Sequence, residues 1–124
     1  MLIMDTSAWL AMFDASSEIR GVIEHEDLLT PSIAVAEVAK ILKQRGNSDE
    51  IIDSLISKIK RESAILPLDE NNAALAGVLS IKNHFDFVDG VIYSYASKDR
   101  KVVSTDSDFK NKPFAIYIDL RKKK

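Results

Sequence analysis

The chain contains no cysteine, which excludes disulfide staples and any zinc centre built on thiolates. Its two histidines, His25 and His84, are too few for an imidazole-dominated metal site. Long apolar runs are missing: none approaches the roughly 20 residues of a membrane span, and Met1-Leu2-Ile3-Met4 lacks the pattern of a signal peptide. A cytoplasmic protein with no membrane attachment is the resulting expectation. Proline and glycine are scarce, at 3 and 4 residues, and no linker, repeat or low-complexity segment interrupts the sequence. A chain of this length buries roughly two thirds of its unfolded surface, so one domain spanning 1–124 is expected to fold without staples.

A strong charge of one sign is also absent. Seventeen basic residues against 19 acidic ones leave a net charge of -2, without the basic footprint usual in nucleic-acid binders. Two bound divalent cations would turn that balance positive. Basic residues do gather locally, at Lys40, Lys43 and Arg45, at Lys58, Lys60 and Arg61, at Lys98, Arg100 and Lys101, and at Arg121 to Lys124. Solvated helix faces and a frayed tail account for such clusters equally well.

What is present is an alternation of short apolar runs and helical stretches. Strands are expected at Leu2 to Asp5, Asp27 to Thr30, Ala64 to Leu68, Lys101 to Thr105 and Ala115 to Leu120. Thr6 or Ser7 is positioned to cap a first helix carrying Trp9, Leu10 and Phe13, and a second helix covers about 17–25. Ser32 starts a helix that ends at Gly46-Asn47. Asn47 or Ser48 caps the next, whose apolar face is Ile51, Ile52, Leu55, Ile56 and Ile59. Asp69 caps a helix fraying near Asn83, and Asp86 one carrying Asp89, Ile92, Tyr93 and Ala96. Strands separated by helices imply an α/β fold: a central, mainly parallel five-stranded sheet with helices on both faces. Ligands then bind beyond the carboxyl ends of the strands, near the switch in strand order.

Acidic residues in apolar surroundings stand out against this frame, because an unpaired carboxylate there is costly. Asp5 closes the first strand, although Thr6 and Ser7 already offer caps. Glu37 has Ile33, Ala34 and Ile41 as its helical neighbours, so it projects from the apolar stripe, with Lys40 as its one evident counter-ion. Asp89 follows Asp86 at the spacing of a capping box, and Gly90 beside it leaves room for close approach of a ligand. Asp106 and Asp108 follow the fourth strand directly, in Asp-Ser-Asp, which is also good turn material. If the first and fourth strands are neighbours, Asp5 and Asp106 meet at one sheet edge. A site made only of carboxylates suits a hard cation such as magnesium or manganese.

These motifs, in this order, resemble the PIN-domain ribonucleases, most closely the VapC-like toxins of toxin–antitoxin pairs. The resemblance rests on Ile3-Met4-Asp5-Thr6-Ser7, Thr30-Pro31-Ser32 with Glu37, Asp89-Gly90-Val91-Ile92, and Ser104-Thr105-Asp106-Ser107-Asp108-Phe109. It covers nearly the whole chain. Ser104 stands where the family pattern has threonine, Gly90 replaces an alanine, and Tyr93 and Tyr95 are bulky where small residues are usual.

The resemblance implies a metal-dependent endoribonuclease whose Asp5, Glu37, Asp89 and Asp106, with Asp108 as a fifth candidate, hold one or two Mg2+ or Mn2+ ions. Thr6, Ser7 and Ser104 would hold those acids in place. The cations would neutralise the phosphodiester and acidify the attacking water, leaving a 5′ phosphate. Single-stranded or looped RNA is the implied substrate, with Lys40, Arg45, Lys98 and Arg100 as candidate phosphate contacts on the rim. A homodimer and an inhibitory antitoxin are the implied partners, with surface near Trp9, Phe13 and Ile51–Ile59 available to them unless those residues are core.

Three other readings stay open at this level. One is a PIN-like nuclease of RNA processing rather than a toxin. Another is a PIN-like module that binds RNA or protein without cutting. The more distant one is a phospho-acceptor signalling domain using Asp5, Asp69 and Lys112-Pro113, which leaves Glu37 unexplained; a haloacid-dehalogenase phosphatase fails because Ser7 stands where a second aspartate is needed.

Overall fold

The computed structural model describes residues 1–122. Five strands, β1 (Leu2–Met4), β2 (Leu28–Pro31), β3 (Ser63–Leu66), β4 (Lys101–Ser104) and β5 (Ala115–Tyr117), form one sheet in the order β3-β2-β1-β4-β5. Every pairing is parallel, so the sheet is wholly parallel rather than mainly so. Six helices connect and cover it: α1 (Thr6–Phe13), α2 (Ser17–Ile23), α3 (Ser32–Gln44), α4 (Asp49–Glu62), α5 (Glu70–Lys82) and α6 (Phe87–Tyr93).

Alternation along the central strands builds two cores. Leu2, Met4 and Val103 face one layer, where they pack with Trp9, Ile19, Val38, Ile52 and Ile59. Ile3 and Val102 face the other, against Ala76, Phe85, Val91, Ile92 and Phe109. This two-sided burial is why the β1 and β4 sequences are continuously apolar. Trp9 is wholly buried, and its Nε1 donates to Thr30 Oγ1 at 3.0 Å. The Trp9 and Ile52–Ile59 surface is therefore core, and only Ile51 of that group is strongly exposed.

Several boundaries differ from the sequence expectation. β3 stops at Leu66, because Pro67 has no N–H to continue the ladder, and β5 ends at Tyr117 instead of Leu120. α6 ends at Tyr93, leaving Ala96 outside it. The first helix is capped by Asp5 itself, not by Thr6 or Ser7. α3 begins directly after Pro31 with no side-chain cap. Of the basic cluster Arg121 to Lys124, Lys123 and Lys124 lie outside the described residues. No helix among the described residues is long and apolar enough to cross a membrane.

The strand order reverses beside β1, which pairs with β2 on one side and β4 on the other. Met4 is in register with Val103, so the residues after β1 and β4 emerge side by side at the carboxyl edge. Those residues are Asp5 on one strand and Thr105-Asp106 on the other.

Candidate active site

A cavity of about 250 Å³ opens at this switch point, lined by Asp5, Thr6, Ser7, Leu10, Glu37, Ile41, Asp86, Val88, Asp89 and Asp106. Four separate chain segments, the ends of β1 and β4, α3 and the start of α6, thus deliver five carboxylates to one space. No lysine, arginine or histidine lines it among the described residues.

Asp5 is almost completely buried. Its Oδ1 accepts from the Ala8 amide at 2.8 Å, which caps α1, and from the Ser7 hydroxyl at 2.8 Å. Burial nevertheless dominates and pushes its carboxyl up to about 6, against the opposing pull of Ser104, Ala8 and Ser7 and with a smaller push from Asp106.

Ser7 joins the two central strand ends. Its hydroxyl donates to Asp5, accepts from the Thr105 amide at 2.9 Å, and lies 3.2 Å from the Ser104 hydroxyl. Ser104, fully buried, accepts from the Asp106 amide at 2.9 Å. Asp5 and Asp106 are therefore held by a hydroxyl pair beneath them. Thr6 contributes differently: its Oγ1 is buried and has no hydrogen-bond partner.

Asp89 rides on the first turn of α6, and burial pushes its carboxyl up to about 7, aided by the charges of Asp106, Asp5, Asp108 and Glu37 in that order. A capping box with Asp86 does not form, since the Asp86 side chain makes no cap bond. The structural explanation for Asp89 thus falls away. Gly90 has a different purpose from the one expected. A Cβ there would lie 2.8 Å from the Ala76 carbonyl oxygen and 3.0 Å from Ser80 Cβ, so the missing side chain admits the α5 backbone and not a ligand. That close crossing of α5 and α6 sets where Asp89 stands.

Glu37 enters from α3 half-buried, and it forms no ion pair with Lys40 or any other described residue. Asp106 caps a short 3₁₀ turn, its Oδ1 accepting from the Asp108 amide at 2.9 Å. Asp108 is exposed and does not line the cavity. It lies instead with Asp86 and Asp89, their carboxylate oxygens within 4.8 Å of one another. Asp86 is the acid that sequence reasoning missed as a site residue. Its i, i+3 spacing from Asp89 was the available signal, and a capping role absorbed it.

The candidate rim cations divide. Lys40 lies beside Glu37 in an adjoining groove with Ile33, Ala36 and Val88. Arg45 is eight residues further along α3, ~12 Å down the helix from Glu37. Lys98 and Arg100 precede β4 and so lie at the opposite end of the sheet, where Arg100 Nε donates to the Tyr95 carbonyl at 3.0 Å. Arg45, Lys98 and Arg100 therefore do not border the cavity. Asp69, the acceptor needed for a signalling domain, caps α5 beside the edge strand β3, and Lys112 sits 5.2 Å over the Phe85 ring. Neither lines the cavity that holds Asp5.

Comparison with known families finds a match to the PIN domain over residues 2–115. Among solved structures, the chain is similar to a toxin–antitoxin complex from Klebsiella pneumoniae, with a TM-score of 0.77, 15% identity, and 94% of this chain and 96% of that one covered. It is similar to VapC20 of Mycobacterium tuberculosis, a sarcin-ricin loop cleaving toxin, at TM-score 0.76, 15% identity and 95% and 98% coverage. A third likeness is VapBC2 of Rickettsia felis bound to promoter DNA, at TM-score 0.72, 17% identity and 95% and 98% coverage. At these identities the structural likenesses speak for the fold. Comparison with curated sequences finds no significant match.

Proposed function

Since the chain belongs to the PIN-domain family, we propose that it is a divalent-metal-dependent endoribonuclease and the toxin of a toxin–antitoxin pair. The observation that carries this reading is the convergence of Asp5, Glu37, Asp86, Asp89 and Asp106 on one cavity with no basic side chain lining it. Such a set of like charges is unfavourable unless a cation joins it.

The residues fit a hard metal ion. All the charged donors are carboxylate oxygens, which suits magnesium or manganese. Asp5 and Asp89 hold protons to unusually high pH, and Thr6 Oγ1 is buried without a partner. Asp5, Glu37, Asp89 and Asp106 would hold the ion, with Asp86 and Asp108 at the outer side. A divalent cation so held supplies charge neutralisation at the scissile phosphate and a water of lowered pKa.

The protein's own contribution is positional. The Ser7–Ser104 hydroxyl pair locks the ends of β1 and β4 together, so Asp5 and Asp106 cannot separate. Leu10, Ile41 and Val88 form the apolar part of the cavity wall, where lowered dielectric strengthens each electrostatic contact. The open rim admits a backbone whose bases are splayed out, which favours single-stranded or looped RNA over a duplex.

Structures of the same fold support the toxin reading, since one is a toxin–antitoxin complex and another is a sarcin-ricin loop cleaving toxin. A small antitoxin is accordingly the expected inhibitory partner. A homodimer is the expected assembly, and the exposed Leu75, Val78 and Ile81 on the outer side of α5 offer it a surface that the Trp9 region does not.

The test is cleavage of a mixed RNA pool with manganese or magnesium by the wild-type chain, Asp5→Asn and Glu37→Gln. Cleavage by the wild type alone, abolished by EDTA, is the expected result. Cleavage that persists in EDTA or in both variants would sink the mechanism. Growth arrest on expressing the chain alone, relieved by the product of an adjoining small gene, is the expected sign of a toxin.

A further inference from the structure

A second concavity of about 300 Å³ lies at the same sheet edge, on the other side of the loop that carries Asp106. It is lined by Thr105 and Ser107, the two neighbours of Asp106, with Tyr117, Asp119, Leu120 and Arg121. Sheet register explains the adjacency. Tyr117 closes β5 and pairs with Ser104, the residue whose hydroxyl holds the Asp106 amide. The Ile118 amide then donates to the Ser104 carbonyl at 2.8 Å, which extends the shared wall.

The two cavities have opposite chemistry. The first holds five acids and no cation, whereas the second presents a guanidinium. Asp119 Oδ1 accepts from Arg121 Nε at 3.1 Å and from the Arg121 backbone amide at 3.0 Å. The carboxylate is shielded, with its side chain 15% exposed, while that of Arg121 is 79% exposed. Arg121 Nη2 also reaches Asp119 Oδ2 at 3.5 Å and the Tyr117 hydroxyl acts on the same group, but a guanidinium has five N–H donors in a fixed fork, so the remaining ones are left for a second anion. Two hydroxyls and a phenol ring face the same space.

We propose that this second cavity is a nucleotide subsite of the RNA groove. Arg121, with the Thr105 and Ser107 hydroxyls, receives the phosphate next along the strand from the bond held over the acids, and Tyr117 meets its ribose or unpaired base. The inference rests on the ribonuclease reading and extends it with a path. Glu37 lines the acidic cavity and Lys40 the groove adjoining it on the β2 side, while Arg121 lines the second cavity on the β5 side. A single strand crossing the switch point meets a cation at each end and the acids between.

The probe is a fluorescent single-stranded oligoribonucleotide of mixed sequence, bound with manganese present to an Asp5→Asn background that does not cut. Adding Arg121→Gln should weaken binding about tenfold, and should flatten the salt dependence by about 0.7 in log–log slope, the loss of one single-strand phosphate contact. Tyr117→Ala should weaken binding without changing that slope. Lys98→Gln, at the far end of the sheet, is the control that should change neither. Both side chains are solvent-accessible, and unchanged melting temperatures would show that the variants fold. Affinity and slope unchanged in Arg121→Gln and Tyr117→Ala would overturn the subsite, while manganese-dependent cleavage by the otherwise wild-type chain would still uphold the nuclease. Binding that falls as described, with no cleavage by the wild type under any metal, would keep the subsite and remove the nuclease.

Discussion

The carboxylates of α4 and those of the switch-point cavity are the same chemical group in opposite circumstances. On α4, Asp49 meets Lys43 Nζ at 2.9 Å and Glu62 meets Lys58 at 3.1 Å, each pair exposed. Lys43 holds the Asp49 carboxyl below its ordinary range. In the cavity, burial lifts Asp5 to about 6, and burial together with neighbouring acids lifts Asp89 to about 7. Where the fold has no use for an acid it supplies a lysine or leaves the group in water. At the switch point it supplies further acids. That difference is what the proposed metal-ion reading requires, since a bound cation would offset the clustered charge.

Activity should break the comparison most sharply. Asp89→Asn or Glu37→Gln should lower metal-dependent RNA cleavage on the order of a hundredfold to a thousandfold, in keeping with loss of one preorganised charge at a reacting centre. Asp49→Asn should leave the rate as it is. Gel-resolved initial rates check both.

Stability should respond in the reverse sense. The folded metal-free chain holds the Asp5 proton up to about pH 6, whereas the unfolded chain releases it near 4. More protons are then bound in the folded state over that interval, so metal-free stability falls as pH rises from about 4 through about 6. Asparagine caps a helix as well as aspartate does and carries no charge. Asp5→Asn should therefore stabilise the EDTA-treated protein at pH 8 by about 3 kcal/mol, a rise in melting temperature of roughly 10 °C. The gain should vanish below about pH 4. Thermal melts across pH measure it.

A smaller effect separates position from charge. Gly90→Ala should lower the melting temperature by roughly 5 °C, because a Cβ pressed on the Ala76 carbonyl outweighs the better helix propensity of alanine. Cleavage should fall with it, since Asp89 is the next residue. Smallest of all, Asp49→Asn should shift the melting temperature slightly downward, as expected of an exposed pair.

Much of this arrangement was legible before the fold was known, for definable reasons. Glu37 stood out because helical periodicity places it on an apolar stripe, and the alternation of strands and helices put Asp5 and Asp106 at one edge. Long-range facts were not legible. Gly90 reads as a gap for a ligand until α5 is seen to cross at Ala76. Asp86 reads as a cap, because nothing local reveals that its side chain makes no cap bond and lines the cavity instead. Lys98 and Arg100 could have been set apart from the sequence alone, since they precede the strand expected at Lys101 to Thr105, and Arg45 is carried away from Glu37 by the length of α3. Tyr117 and Arg121 drew no attention as a pair, since only register with Ser104 brings them beside Asp106.

The central claim is that the unpaired acids exist to hold a divalent cation, and calorimetric titration of manganese into the metal-free protein at pH 7.5 tests it directly. The account predicts saturable binding to the wild type with release of protons, because Asp89 is still partly protonated near that pH. Asp89→Asn and Glu37→Gln should each weaken it by tenfold or more, while Asp49→Asn leaves it unchanged. No measurable manganese affinity in the wild type, or equal losses in Asp49→Asn and Asp89→Asn, would contradict it.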